Sequence, residues 1–166
     1  MLVDASPLIY LAKLDALDIF EGSGHVPLLT PEIERETARP ALAYEHPDSV
    51  LIAEALRLGK LERTDVTEEE NRIAHRLQEQ TSAIKVGEAQ VLAVAQARGL
   101  PVLVSERRAL RLAVSLGLEV WVPLDLLIAG TAEPIRLRER ILGLARLTDL
   151  SFTDVESALR KAEVFT

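Results

Sequence analysis

Apolar residues along the chain follow two kinds of pattern, short continuous runs and longer stretches with helical spacing. The short runs predict strands at residues 1–4 and within the segments HVPLL, KLERTDV, LPVLVSE and LEVWV. Between these segments, apolar positions recur every three or four residues, which is typical of amphipathic helices. The pattern therefore alternates strands and helices and continues in helices alone from Pro123 onwards.

Cap residues indicate where several of these helices begin. Pro7 suits the first turn of a helix in SPLIYLAKLDALDIF, where its missing N–H is no loss. The apolar positions of this stretch share one helical face, formed by Leu8, Leu11, Ala12, Ala16 and Ile19. Two later helices are predicted to begin with a capping box, one pairing Thr67 with Glu70 and the last pairing Thr153 with Glu156.

The segment 86–122 defines the fold class. Its pattern Gly-Leu-x-Val-x-Val occurs at Gly99 and again at Gly117, which predicts the same helix-end-to-strand junction twice. A strand, a helix and a strand in so short a span form a parallel βαβ unit with a right-handed crossover. We therefore expect an α/β fold with a parallel sheet of about four to five strands flanked by helices. The chain is expected to be one domain, 1–166, with a core at about 1–130 and a helical extension at about 131–166.

Composition narrows the classes of function. The formal charge of −7 argues against a broad grip on nucleic-acid phosphates but leaves room for a local basic rim. The chain has no cysteine, which excludes disulfides, thiolate metal sites and a cysteine nucleophile. No apolar run approaches the roughly 18 residues of a membrane span, and the first residues do not resemble a signal peptide. These features predict a soluble, cytoplasmic protein.

Acidic residues fall where a parallel sheet places its ligands, beyond the carboxyl ends of the strands. Asp4 ends the first predicted strand, and Glu106 directly follows the strand at 102–105. Glu88 lies in the first turn of its helix, in register with the core-facing stripe, where a free carboxylate is costly to desolvate. Glu36 follows Ile33 by three positions, at the edge of a buried helix face. These four acids are expected to form one cluster.

Each acid also has a simpler interpretation. Asp4 suits the N-cap of the following helix, and Glu88 suits the positive end of a helix dipole. Glu36 has two acidic neighbours in its own segment, and Glu106 precedes two arginines with which it would form a surface ion pair of small effect. The joint arrangement favours a cluster more strongly than any single acid does.

The segments LVDASPLIYLAKL, TPEIERE and VGEAQVLAVAQARGLPVLVSERRALRLAVSLGL resemble the PIN domain, the nuclease fold of VapC-type toxins. The Gly-Glu-Ala helix start resembles one bacterial and archaeal branch, and LARLTDLSFTDVESALRKAEVF resembles the C-terminal helices of that branch. The resemblance implies a ribonuclease that uses Mg²⁺ or Mn²⁺, the toxin of a toxin–antitoxin pair. It also implies three partners: single-stranded or structured RNA, a small antitoxin protein and a second copy of the chain.

The resemblance also assigns the site. It implies that Asp4, Glu36, Glu88 and Glu106 are catalytic, and that Asp4, Glu88 and Glu106 hold the metal. Hard oxygen ligands suit Mg²⁺ or Mn²⁺ better than zinc. The predicted substrate-binding residues are those beside these acids, namely Ser6, Ser105, Arg107 and Arg108.

One position departs from the family pattern. The fourth strand usually ends in Ser/Thr-x-Asp or Asp-Asp, whereas here it ends in Ser105-Glu106, which adds a methylene to the acid. A misplacement of about 1 Å can cost roughly 100-fold in rate. One alternative function is therefore a PIN-like module that binds RNA or protein without cleavage. A phospho-acceptor signalling domain with Asp4 as acceptor is a further alternative, because doubly wound domains of that kind also carry an Asp at a strand end.

Overall fold

The computed structural model describes residues 1–39, 45–81 and 84–164, and within them it confirms the predicted α/β fold. Five parallel strands form one sheet in the order β3-β2-β1-β4-β5. The strands are β1 Leu2–Val3, β2 Leu28–Leu29, β3 Glu62–Arg63, β4 Val102–Leu103 and β5 Val120–Trp121. The chain leaves β1 towards β2 and β3 on one side and returns to β4 and β5 on the other. The connections therefore diverge between β1 and β4, and a crevice at the carboxyl ends of these two strands is the expected ligand position in such a sheet.

Ten helices flank this sheet in the described part of the chain. They are α1 Ala5–Lys13, α2 Ile19–Ser23, α3 Pro31–Thr37, α4 Pro47–Arg57, α5 Glu68–Gln80, α6 Val86–Arg98, α7 Arg107–Ser115, α8 Pro123–Gly130, α9 Pro134–Leu147 and α10 Phe152–Val164. None of them is long and apolar enough to cross a membrane.

The first helical stretch is two helices rather than one continuous helix. The break lies at Asp15, whose φ of 48° is left-handed. The Asp15 N–H donates to the Ala12 carbonyl, and the Ala16 N–H donates to the Leu11 carbonyl, which is the hydrogen-bond pattern of a Schellman helix end. The apolar spacing continues across the break because all five predicted face residues are buried on both sides of it.

Two predictions about helix ends had different outcomes. Gly99 and Gly117 are both left-handed, with φ of 64° and 73°, and each leads directly into a strand, which confirms the repeated junction. The capping box predicted from Thr153 and Glu156 is wrong. The hydroxyl of Ser151 accepts from the Asp154 N–H at 3.1 Å and donates to the Asp154 carboxylate at 2.6 Å, so α10 begins two residues earlier than that box requires.

The C-terminal helices are fixed to the sheet domain by two close contacts. Gly22 of α2 and Gly130 of α8 touch so closely that a Cβ added at Gly22 would lie 2.3 Å from the Gly130 carbonyl oxygen. Arg140 of α9 is buried and donates to the Thr131 hydroxyl at 3.0 Å and to the Asp15 carbonyl at 2.9 Å. It also pairs with the Asp18 carboxylate. The left-handed turn after α1 is therefore held by a helix from the far end of the chain.

Candidate acidic site at the carboxyl edge of the sheet

All four predicted acids line one small pocket at the carboxyl ends of β1 and β4. The pocket is lined by Asp4, Ala5, Ser6, Glu36, Lys85, Glu88 and Glu106. Its cavity volume of about 10 Å³ is the space of roughly one water molecule. The pocket lies at the divergence of the chain between β1 and β4, so the fold itself brings acids from four separate segments together.

Asp4 is the most perturbed carboxylate of the pocket. It directly follows β1, is 3% exposed, and its backbone N–H donates to the Leu103 carbonyl at 3.0 Å. It stands at the N-cap of α1 but its side chain makes no capping hydrogen bond, so the simple cap interpretation does not apply. Burial raises the pKa of Asp4 to about 7, with the Ala5 N–H acting against this and the charges of Glu88, Glu106 and Glu36 adding to it. The site is therefore one where negative charge is unfavourable without a cation.

Glu88 is buried as predicted, and it has a structural role besides. Its Oε2 accepts from the backbone N–H of Lys85 at 2.9 Å, which closes the N-terminus of α6. Only one of its two oxygens is used in this hydrogen bond. The capping interaction therefore fixes the position of the carboxylate at the pocket and does not take it out of reach of a ligand.

The three glutamates of α3 have three different environments. Glu32 pairs with Arg35 on the same helix, and Glu34 pairs with Arg63 beside β3 at 2.8 Å. Glu36 alone of the three lines the pocket. Burial, followed by the charge of Glu32, raises the pKa of Glu36, while the charges of Lys85, Arg35 and Arg39 act in the opposite direction. The structure thus separates acids that the sequence left as alternatives.

Glycine at position 87 makes room for the Glu36 carboxylate. A Cβ added there would lie 2.9 Å from Glu36 Oε1 and 3.0 Å from Ile33 Cδ1. The first residue of the Gly-Glu-Ala motif is therefore a contact surface for α3, and Glu88, the next residue, lines the same pocket as Glu36.

Glu106 closes the pocket from the side of β4. It is exposed, stands at the N-cap of α7 without a capping hydrogen bond, and accepts from the Ser6 hydroxyl at 3.4 Å. This long contact links the two predicted site residues Ser6 and Glu106 across the crevice.

The other predicted substrate-binding residues lie beyond Glu106. The Ser105 Oγ is buried and has no hydrogen-bond partner in the described part of the molecule. Ser105 and Arg107 both line a second, larger cavity that also includes Glu106. Arg108 is exposed on α7, and it lines neither of these two pockets as the described residues form them.

Lys85 is the site residue that sequence reasoning missed. It is exposed, precedes α6 at the N-cap position and lines the acidic pocket. Its charge lowers the pKa of Glu36, so the ammonium group acts directly on the acid cluster. Its position in the sequence, directly before the Val-Gly-Glu helix start, could have indicated that it lies close to Glu88.

The donor set suits a hard divalent cation. Carboxylates and a hydroxyl are the ligands that Mg²⁺ and Mn²⁺ prefer. Burial raises the pKa of Asp4, and the charges of Glu88, Glu106 and Glu36 raise it further, so a nearby cation would favour the ionised form. Within residues 1–39, 45–81 and 84–164, no three His, Cys, Asp or Glu side chains are close enough to hold one ion together. Mg²⁺ commonly uses only one or two carboxylates with waters and substrate phosphates, so this donor set fits such an ion.

The comparison with known families agrees with this geometry. A family model described as a PIN domain matches residues 1–139, and the match includes every residue that lines the acidic pocket. The chain therefore belongs to the PIN-domain family, whose members are in general metal-dependent nucleases. No curated protein matches the sequence. At this level the family assigns a nuclease fold and the hydrolase class.

Proposed function

We propose that this protein is a metal-dependent endoribonuclease that hydrolyses RNA phosphodiesters at the acidic pocket. The observation that carries the proposal is the convergence of Asp4, Glu36, Glu88 and Glu106 at the divergence of the parallel sheet, with the pKa of Asp4 raised to about 7. Carboxylates about 4 Å apart repel one another by roughly 4 kcal/mol at an effective dielectric near 20. A cluster of this kind favours a bound divalent cation.

The metal is proposed to be Mg²⁺ or Mn²⁺, bound by one or two of the carboxylates of Asp4, Glu88 and Glu106 together with water and a substrate phosphate. Such an ion polarises a phosphoryl oxygen and lowers the pKa of a bound water. Asp4 supplies a ligand on a rigid strand end, and Glu88 is fixed by its hydrogen bond to the Lys85 N–H. Ser6 holds Glu106 towards the crevice through its hydroxyl.

Other residues in and around the pocket are proposed to accept a proton or to position the substrate. Glu36 lies half-buried beside Gly87, where its raised pKa suits it to accept a proton. Lys85, at the N-cap of α6, is the cation that most lowers the pKa of Glu36, and it would contact a substrate phosphate as a point charge. Arg107 and Arg108 on exposed positions of α7 would attract the RNA backbone at the edge of an otherwise acidic protein.

RNA cleavage tests this proposal directly. Purified protein is incubated with a structured RNA in Mn²⁺ or in EDTA, beside Asp4→Asn, Glu88→Gln and the exposed control Glu139→Gln. We expect cleavage by wild type and Glu139→Gln in Mn²⁺ only, and a loss of at least about 100-fold in the two pocket variants. Equal cleavage by wild type and Asp4→Asn would show that the activity comes from elsewhere.

A non-catalytic RNA- or protein-binding module is the second candidate. It is favoured by the absence of a three-ligand acidic group among the described residues and by the longer acid at position 106. This function predicts RNA binding by wild type without cleavage in either metal. Glu106→Asp then provides a sharp comparison, because the family pattern predicts that shortening this acid raises the cleavage rate.

We also propose that the chain is a single PIN domain with a C-terminal helical extension, and the VapC-like toxin of a toxin–antitoxin pair. In that case, induction of wild type in a bacterial host arrests growth, and induction of Asp4→Asn does not. We propose a homodimer, for which light scattering at micromolar concentration should give twice the 18.3 kDa chain mass. Growth unaffected by a soluble, RNA-cleaving wild type would contradict the toxin proposal, and a monomer would contradict the dimer.

A further inference from the structure

A second cavity adjoins the acidic pocket at the same edge of the sheet. Its volume is about 670 Å³, within the range of small-molecule sites, and it lies beyond β4 and β5. Glu106 lines both this cavity and the acidic pocket, so the two spaces lie on either side of one exposed carboxylate. We call it the α9–α10 cavity because Leu144, Leu147 and the turn at 148–150 form one wall of it.

This wall comes from the C-terminal extension. The family match ends at residue 139, whereas the wall begins at Leu144 and continues to Asp154. The cavity is therefore built in part by a segment outside the matched PIN domain. It therefore does not follow from the region that the family model matches.

The chemistry of the lining points to a nucleobase. The leucines give an apolar surface, and the Tyr10 ring and Arg107 guanidinium are flat groups on which a base can stack. The buried Ser105 Oγ has no hydrogen-bond partner in the described part of the molecule, and the same residue lines the cavity. A buried hydroxyl without a partner is unfavourable until a ligand satisfies it.

The charge of the lining indicates which part of a nucleotide enters. Among the described lining residues, three carboxylates, Glu106, Asp149 and Asp154, face a single guanidinium, that of Arg107. This excess of negative charge disfavours a phosphate inside the cavity. It favours a base that presents an amino group as a hydrogen-bond donor to a carboxylate.

We propose that the α9–α10 cavity binds the nucleobase next to the scissile phosphate of an RNA strand, and that it prefers adenine, cytosine or guanine to uracil. The inference rests on the proposed function, since it takes the phosphate to lie at the acidic pocket. Ser105 and Asp149 donate to and accept from the base, and the extension sets the sequence preference of cleavage.

The experiment measures binding and cleavage separately. Binding is measured in EDTA, where no cleavage occurs, as the fluorescence anisotropy of 3′-labelled homotetranucleotides of A, C, G and U. Leu147→Trp fills the cavity, and Leu142→Trp is its matched control, because the two leucines share α9 and are 38% and 37% exposed. Ser105→Ala removes a hydrogen-bonding hydroxyl, and Asp149→Asn replaces one acceptor oxygen by an amide donor, with the exposed Asp125→Asn as control.

We expect wild type to bind the A, C or G oligomer more tightly than the U oligomer. Ser105→Ala and Asp149→Asn should each weaken that binding by about 2–10-fold, the range of one hydrogen bond. Leu147→Trp should weaken it by at least about 10-fold, and Leu142→Trp and Asp125→Asn should bind as wild type does. Cleavage sites mapped in Mn²⁺ should lose their base preference in the same cavity variants.

The outcomes separate the cavity from the nuclease function. If wild type binds the oligomers selectively through the cavity residues but does not cleave RNA, the base-binding proposal is supported and the proposed nuclease function is overturned. If Leu147→Trp and Ser105→Ala cleave RNA at the same rate and at the same sequences as wild type, the base-binding proposal is overturned and the proposed nuclease function is unaffected. Equal binding of all four oligomers by wild type and by the variants also overturns the cavity proposal. That result would be expected if the cavity binds a peptide instead of a nucleobase.

Discussion

At the scale of single residues, environment separates acids that look alike in the sequence. Asp4, Glu36 and Glu88 line the pocket, whereas Glu32 and Glu34 are neutralised by Arg35 and Arg63. The sequence spacing was sufficient to identify Asp4 and Glu88, since one ends a strand and the other lies on a buried helix stripe. It was insufficient for Glu36 because the arginine that pairs with Glu34 lies 29 residues away.

Asp4→Asn is expected to stabilise the metal-free protein at neutral pH. The variant removes a buried charge whose pKa is raised from 3.8 to about 7. At 1.36 kcal/mol per pKa unit, the relief is on the order of 4 kcal/mol at most, and burial of the amide offsets part of it. Melting in EDTA should show an increase of about 2–4 °C for each kcal/mol gained. Glu139→Gln, an exposed charge removal, should melt as wild type does.

The pH dependence of the free energy of unfolding should also show the effect of the buried Asp4 carboxylate. An acid with a raised folded-state pKa binds more protons folded than unfolded, so wild type should gain stability as pH falls from about 7 towards 5. The pKa of Glu70 is lowered to about 2 by its hydrogen bond with Arg98, and its contribution is lost only below its ordinary value of 4.5. The buried Met1 amino group, whose pKa is lowered, acts in the opposite direction near pH 7. The difference between wild type and Asp4→Asn from pH 5 to 7 therefore reports on the acidic pocket. A profile in this window that is equally steep in Asp4→Asn would contradict the assignment to Asp4.

At the scale of elements, glycines decide how closely helices approach. Gly87 lets α3 place Glu36 over the start of α6, and Gly22 with Gly130 lets α2 cross α8. The sequence predicted helices between the strands, the apolar face that α1 and α2 share, and the Gly99 and Gly117 junctions. It missed the break between α1 and α2 and the start of α10. It could not predict these crossings, because a helical glycine looks the same whether or not a neighbouring helix lies against it.

Gly87→Ala is expected to impair the site without unfolding the protein. The new Cβ would meet the ends of two flexible side chains, Glu36 and Ile33, which can move. Helix propensity favours alanine by about 1 kcal/mol, so the melting temperature should change little. Displacement of the Glu36 carboxylate by about 1 Å should lower RNA cleavage by roughly 100-fold. Cleavage at the wild-type rate would exclude a catalytic position for Glu36.

Gly130→Ala should instead destabilise the whole protein. Its Cβ would lie 2.3 Å from the Ile19 carbonyl oxygen, a backbone atom that cannot move alone. The expected loss is about 1–3 kcal/mol in urea denaturation. Gly143→Ala is the matched control, since its Cβ would meet only the Leu14 side chain. Equal stability of the two variants would contradict a tight crossing of α2 and α8.

At the scale of the whole molecule, the parallel sheet and the C-terminal helices form different parts of the site. The divergence between β1 and β4 positions the acids, and the extension adds a wall to the neighbouring cavity. The parallel sheet followed from the βαβ pattern, whereas its strand order was not predicted. The cavity could not be predicted, because it depends on how α9 and α10 return to the edge of the sheet.

The measurement that tests the central claim most directly is the melting temperature of the protein in EDTA and in millimolar Mn²⁺. A cation that binds only the folded form stabilises it by about 2.7 kcal/mol at 100 times its dissociation constant. For a domain of this size, that is a rise of about 5–10 °C. Wild type and Glu139→Gln should show this rise, and Asp4→Asn and Glu88→Gln should show little of it. A wild type whose melting temperature is the same with and without Mn²⁺ would contradict a metal site at the acidic pocket.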